Sequence, residues 1–475
     1  MVGPTIIVDN DTPPGELAMH DLNRRDFVKT TAALLGAAAI PALPGLASAA
    51  NPTAGAKELR VLQIGVGGIG GLDRGRIAGH PKAKIVGLCD IDTNPLEKVG
   101  QQFPDAFRET DYRNCFSDHL DKFDAVNVCT PDHTHAAPML LALTNDKHVY
   151  GQKPLVQQLE EVTMLEQAIK AKPYLATNTG NQRMENGNRR IAVGILEQGL
   201  LGKAIAGYCW TTTRRGSATD LELPAVKPVP ANVDWNLFLG PAKEQPHREG
   251  IHPNKWRAWW DFGTAGLGDW GVHLLDIIMY AYPELKSPVS VKCETPRKAD
   301  WYHCTQCKSV MTYAVSGDRF KNDTFPIYYN DAGAGFDFRS LGIPQDNMKP
   351  NSTIVVCEKG TLYIDAGGGN FQIYVDNKLV TVKDLGANTD VGNYAHWGNW
   401  IEQALGDTEV KVWTPFDAGL RMTECAILPA KASRFPGQEL KWDKKTLTFT
   451  NSQEATDTIV RRDYRDGFEL PKVKA

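Results

Sequence analysis

Leu59-Arg60-Val61-Leu62-Gln63-Ile64-Gly65-Val66-Gly67-Gly68-Ile69-Gly70 is the stretch on which the fold turns. Residues 59–64 run apolar, as a strand buried in a parallel sheet does. They feed into G-x-G-x-x-G, and a helix is predicted to continue through residues 74–79. The next apolar strand, 84–89, ends on Asp90, twenty residues past Gly70. That strand–helix–strand context is what a dinucleotide-binding motif requires. Gly65 permits the tight turn, and Gly67 lets the backbone approach a pyrophosphate. Gly68 and Ile69 open the helix whose N-terminus faces the phosphates, and Gly70 allows close packing on the strand. Asp90 is placed to accept the adenosine ribose hydroxyls, and its charge repels a 2′-phosphate, so the expected cofactor is NAD rather than NADP. The competing reading is a glycine-rich turn with a capping Asp.

Further strand–helix units follow. A strand at 123–129 ends on Thr130-Pro131-Asp132-His133-Thr134-His135 and leads into a helix at 136–144. A short strand at 148–151 ends on Gln152-Lys153-Pro154-Leu155, with a helix at 159–170. Ligands lie at the carboxyl ends of parallel strands, so 130–135 and 152–154 are expected to face the nicotinamide; the bland reading of His133 and His135 is polar loop residues. Beyond residue 176 the pattern changes. A helix at 189–199 is followed by strands at 204–213, 289–294, 309–316, 324–330, 352–357, 361–364 and 371–375, then helices at 394–405 and 419–432. Strands in a run without helices between them indicate a mostly antiparallel sheet. The expected fold class is α/β: an N-terminal Rossmann domain over 57–176, then a C-terminal α+β domain with a large antiparallel sheet over 177–475.

The whole chain agrees with two such domains. It has 475 residues, 42% hydrophobic and 23% charged, too long and apolar for a disordered or fibrous protein. The net charge of −4 offers no basic excess for a nucleic acid. The nine Cys are scattered, which argues against a disulfide scaffold. Cys304-Thr305-Gln306-Cys307 is a lone CxxC without a second ligand pair for zinc, so a local disulfide and inert thiols remain open. Residues 1–49 differ from the rest. Arg24-Arg25 precede Phe27 and Lys29, a mild apolar stretch at 30–47 carries Pro41 and Pro44, and Ala47-Ser48-Ala49 fits a small-x-small cleavage site. This resembles a twin-arginine export signal. No membrane association is expected after its removal, and the mature protein is expected to be periplasmic or otherwise exported. That route carries folded proteins, so a cofactor is loaded before export.

Gly266-Leu267-Gly268-Asp269-Trp270-Gly271-Val272-His273 carries the second set of chemical groups. Asp269 and His273, four apart, share a helical face. A helix beginning near Asp269 would help keep His273 neutral, as a base must be. The structural alternatives are an N-cap for Asp269 and a packed core residue for His273, with Asp276 a structural partner. Trp256, Trp259 and Trp260 read equally well as a sugar platform or as helix core.

Thr130–His135, Gln152-Lys153-Pro154 and Gly266–His273, in this order, resemble the glucose–fructose oxidoreductase and inositol dehydrogenase family, Gfo/Idh/MocA, over essentially the whole mature chain. The resemblance implies a catalytic Lys153, Asp269 and His273. It implies Thr130, Pro131, His133, His135, Gln152, Lys153 and Asn181 at the cofactor, Gln182, Arg183, Arg257 and Trp260 at the substrate, no metal, and a homo-oligomer. One departure is Gln152, where the family usually has Glu. Its loss removes a carboxylate beside Lys153, which should make the ammonium less favoured, while the amide can still hydrogen-bond on the nicotinamide side. The expected function is an NAD(H)-dependent oxidoreductase acting on a secondary hydroxyl of a sugar or glycoside, with tightly held cofactor. The alternative is a redox-neutral glycosidase that oxidises, eliminates, adds water and reduces again. A third reading is a non-catalytic sugar-binding protein on the same fold.

Overall fold

The computed structural model describes residues 50–472 except 217–221, 298–299, 333–334 and 345–347. The expected export signal, residues 1–49, lies outside the described residues.

The first part of the chain alternates strands and helices. In order they are β1 (Leu59–Ile64), α1 (Ile69–Ala78), β2 (Ala83–Cys89), α2 (Thr93–Gly100), β3 (Phe107–Glu109), α3 (Tyr112–Asp118), β4 (Ala125–Val128), α4 (Ala136–Thr144), β5 (His148–Gly151), α5 (Leu159–Ala171) and β6 (Thr177–Thr179). The strands form one sheet in the order β3-β2-β1-β4-β5-β6, with every pairing parallel. The order reverses between β1 and β4, and the crevice beyond their carboxyl ends is where such sheets bind ligands. All residues of β4 and β5 are buried, as the near-continuous apolar runs predict. β6, polar and three residues long, carries no periodic signal, and it extends this sheet past the expected boundary at 176.

The rest comprises α6 (Gly187–Glu197), β7 (Ala204–Trp210), α7 (Trp235–Leu239), α8 (Ala265–Ala281), β8 (Ser290–Glu294), β9 (Lys308–Ala314), β10 (Thr324–Asn330), β11 (Ser352–Cys357), β12 (Thr361–Asp365), β13 (Phe371–Val375), β14 (Lys378–Val380), α9 (His396–Ala404), α10 (Phe416–Ala432), β15 (Glu439–Asp443), β16 (Thr448–Phe449) and α11 (Gln453–Ile459). Ten strands make a sheet in the order β14-β13-β12-β11-β7-β10-β9-β8-β15-β16, antiparallel except where β7 meets β10. The long helix α8 is apolar almost all round because it is buried. Gly271 lets it touch α10: a Cβ there would lie 2.4 Å from Ala426 Cβ. α9 departs from the expected division. Its Trp397, Trp400, Ile401 and Ala404 join Leu59, Val61 and Ile77 in one core cluster, so this C-terminal helix covers the first sheet. A fully buried Trp such as Trp400 typically contributes about 3–5 kcal/mol.

Candidate active site

The glycine loop after β1 is built as its sequence demands. Gly65 has φ +84°, and a Cβ there would lie 2.6 Å from Cys129 O. At Gly70 a Cβ would meet Gly65 O at 2.3 Å. Gly67 and Gly68, by contrast, are exposed, and a Cβ on either would enter open space. Gly68 caps α1 with no side-chain hydrogen bond, leaving the N-terminal amides beyond it, from Ile69 on, without a side-chain partner. The Thr130 hydroxyl, at the end of β4, is buried with no partner. A cradle of open glycines, an uncapped helix N-terminus and an orphaned hydroxyl at the switch point fit a dinucleotide. Asp90 stands where expected, at the end of β2. Its oxygens accept from Val66 N at 2.9 Å and Asp92 N at 3.0 Å, so it also braces the glycine loop. The following turn is gripped from the second domain: Thr93 N donates to Asn232 O at 2.9 Å, Asp234 N donates to Ile91 O at 3.0 Å, and His252 lies 3.0 Å from Asp92.

Lys153, Asp269 and His273 meet at the carboxyl end of β5. The Lys153 ammonium donates to Asp269 Oδ1 at 3.0 Å and to Asp269 O at 2.6 Å. α8 begins at Ala265, four residues before Asp269, so Asp269 is no N-cap; its side chain faces Lys153. Arg215 Nε lies 3.3 Å and Arg257 Nε 3.6 Å from the same carboxylate. Lys153 and Arg257 hold the Asp269 carboxyl down at about 2, against its burial. Asp269 thus gives Lys153 a carboxylate partner, while Gln152 carries none. Gln152 is buried; its Nε2 donates to Asp73 Oδ2 at 2.7 Å and its Oε1 accepts from Lys153 N at 3.4 Å.

His273 is oriented by Asn181. Asn181 Nδ2 donates to Asp276 Oδ2 at 3.3 Å, which turns Asn181 Oδ1 toward His273 Nδ1 at 2.9 Å. His273 therefore carries its proton on Nδ1 and leaves Nε2 free to accept one. Asp276 is anchored by a buried ion pair with Arg189, whose guanidinium also donates to His273 O at 2.8 Å. Burial, then Lys153, Arg183 and Arg189, hold the imidazole well below its ordinary pKa and so neutral. Asn181 was expected at the nicotinamide, yet its amide is engaged by His273 and Asp276.

The other expected site residues are spread between the core, two cavities and the surroundings of Asp269. His133 is core: its Nε2 meets Phe238 O at 2.8 Å, Phe238 and Phe262 rings flank it, and burial lowers its pKa to about 3. His135 lies between Pro154 O at 2.8 Å and Thr130 O at 2.7 Å, tying the two loops together. Trp260 is buried, with the Arg434 guanidinium 3.9 Å from its ring centre, on a cavity of about 690 Å³ also lined by Arg461 and Arg462. None of the Lys153 cluster lines that cavity. Trp256 and Trp259 are core, and Arg257 stacks 4.2 Å over the Trp256 ring. Gln182 and Arg183 open on a cavity of about 320 Å³, and Arg183 stacks 5.1 Å over Trp270. Cys304 and Cys307 are buried thiols, not a disulfide. Asp132, unassigned from the sequence, accepts from Thr264 Oγ1 at 2.6 Å, and burial pushes its carboxyl up to about 7.

Residues 59–178 match the model described as oxidoreductase family, NAD-binding Rossmann fold, and residues 189–319 match the C-terminal alpha/beta domain of the same family. The chain belongs to the Gfo/Idh/MocA oxidoreductase family. Two curated relatives match within it. The uncharacterized oxidoreductase YrbE of Bacillus subtilis is 27% identical over 139 residues, 29% of this chain and 40% of that one. An inositol 2-dehydrogenase of Rubrobacter xylanophilus is 30% identical over 105 residues, 22% of this chain and 29% of that one. The matched stretches thus span well under half of either relative. Among solved structures, the WlbA dehydrogenase of Bordetella pertussis, in complex with NADH and UDP-GlcNAcA, superposes with TM-score 0.57 at 17% identity, over 82% of this chain and 98% of that one. An inositol dehydrogenase homolog of Azotobacter vinelandii, complexed with NAD+, gives 0.56 at 16% identity over the same shares. These likenesses show the fold.

Proposed function

We propose that this Gfo/Idh/MocA protein oxidises or reduces a secondary hydroxyl of a sugar or glycoside with a tightly held NAD(H). The observation that carries the reading is the pairing of Lys153, held by Asp269 at a strand end facing the crevice, with a neutral His273 whose Nε2 is free. Gly65, Gly67, Gly68, Ile69, Gly70, Asp90 and Thr130 would hold the dinucleotide, which supplies the acceptor for the hydride. Lys153 gives two of its three N–H groups to Asp269, and the third is available to a substrate oxygen. It positions the reacting hydroxyl and stabilises negative charge developing there. His273 Nε2 takes the hydroxyl proton, and Asn181 holds the ring in the tautomer that permits this. The Asn232–Asp234 and His252 contacts on the turn after Asp90 support slow release of the cofactor.

Export through the twin-arginine route belongs to the same reading, since outside the cytoplasm a lost dinucleotide is not replaced. The test is to recover the processed protein from outside the cytoplasm, denature it and identify what it releases. NAD or NADH in roughly stoichiometric amount is expected. Exported apoprotein, or protein that never leaves the cytoplasm, contradicts the reading.

A further inference from the structure

The charges around Lys153 do not balance. Lys153, Arg215 and Arg257 all lie within 3.6 Å of one carboxylate, that of Asp269. Of the other acids nearby, Asp132 is a buried carboxyl hydrogen-bonded to Thr264, and Asp331 is a buried carboxyl that accepts from Cys307 N. Among the described residues, three cations thus face one firmly ionised acid. Arg257 makes no hydrogen bond among the described residues, and its Asp269 contact is longer than one. Its guanidinium carbon lies over the buried Trp256 ring, 4.2 Å from the centre, and its side chain is 28% exposed. Among the described residues Arg215 uses only Nε, toward Asp269, and its side chain is 44% exposed. Two guanidinium groups beside Asp269 are therefore partly exposed, with no other hydrogen bond among the described residues. A site for hydroxyl groups alone would be expected to mix acceptors with donors, and the outer edge here offers donors and positive charge.

We propose that the substrate carries a carboxylate on the same sugar ring as the reacting hydroxyl, held by Arg257 and Arg215: a uronic acid or its glycoside. This rests on the sugar oxidoreductase reading above and narrows its substrate class. The ring is fixed by distance, because both guanidinia and Lys153 converge on Asp269, so an anion reaching them lies close to the hydroxyl at Lys153. The carboxylate is favoured over a tetrahedral phosphate by geometry. A guanidinium edge presents two parallel N–H groups that match its two oxygens. Stacking on Trp256 removes part of the orientational freedom that binding would otherwise have to quench.

The experiment compares the methyl glycosides of glucuronic and galacturonic acid with those of glucose and galactose, and with a hexose 6-phosphate, on NAD-loaded protein. Binding is read by calorimetry and turnover by nicotinamide absorbance. The uronides are expected to win in kcat/KM by about 10–100-fold. Arg257→Gln should collapse that ratio toward one, mainly through KM, with Arg257→Lys between the two. Neutral glycosides that bind as well as uronides, or a sugar phosphate that binds better, overturn the proposal. So does an Arg257→Gln variant that weakens uronide and neutral glycoside equally, because Arg257 is then structural. Uronides that bind selectively without changing the nicotinamide uphold the carboxylate site and overturn the oxidoreductase reading instead.

Discussion

Asn181 shows how one amide sets the chemistry of a neighbour. Asp276 fixes which end of the amide donates, the other end fixes the His273 tautomer, and the tautomer leaves Nε2 as the nitrogen able to accept a proton. Asn181→Leu removes the acceptor without adding charge. The expected result is a kcat lower by about 10–100-fold, with sugar KM and dinucleotide content near wild type. Unchanged kcat would show that the orientation is irrelevant. Lys153 and His273 were legible in the sequence because each sits in a short motif at a strand end or helix face. Asn181 was legible as a position but not as a function, since its partner Asp276 comes from α8, 95 residues away. Arg215 carried no signal at all: it follows β7 in an irregular stretch, and only the fold brings it to Asp269. His133 misled for the opposite reason, because a polar motif at a strand end is here covered by Phe238 and Phe262.

At the scale of elements, the departure at Gln152 makes sense only with α1 and α9 in place. Asp73 on α1 is buried and receives Gln152 Nε2 at 2.7 Å, Cys129 Sγ at 3.2 Å and Trp397 Nε1 from α9 at 3.1 Å. A Glu at 152 would set a second carboxylate against Asp73, and one of the two would have to hold a proton. Gln152→Glu should therefore cost about 3–5 kcal/mol in denaturant unfolding. Asp73→Asn in the same chain should recover part of that loss, since the carboxylate and amide have changed places. Strictly additive effects of the two substitutions would show that they do not act as a pair. The sequence displayed the substitution but not its cause, because Asp73 looks like an ordinary helix residue until β5, α1 and α9 are packed together. Similarly, β6 and the return of α9 to the first sheet leave no local trace: both are fixed by burial against distant strands.

Across the whole molecule, the two sheets divide the work. The parallel sheet ends in a crevice with open glycines, and α8, packed on the antiparallel sheet, delivers Asp269 and His273 to Lys153 at that crevice. The N-terminal motif made the first half legible. The second half was legible as strands without an order, because the order of ten strands depends on pairings far apart in the chain. On the proposed function, this meeting point moves a proton from a sugar hydroxyl as hydride leaves the carbon. Single-turnover mixing of the NAD-loaded protein with a panel of glycosides, followed by nicotinamide absorbance, tests it most directly. Wild type should show net reduction, and Lys153→Ala, still carrying its dinucleotide, should be slower by about 10²–10⁴-fold. A Lys153→Ala protein as fast as wild type contradicts the account. So does a wild type that cleaves the glycosidic bond with no net reduction, which belongs to a redox-neutral elimination cycle.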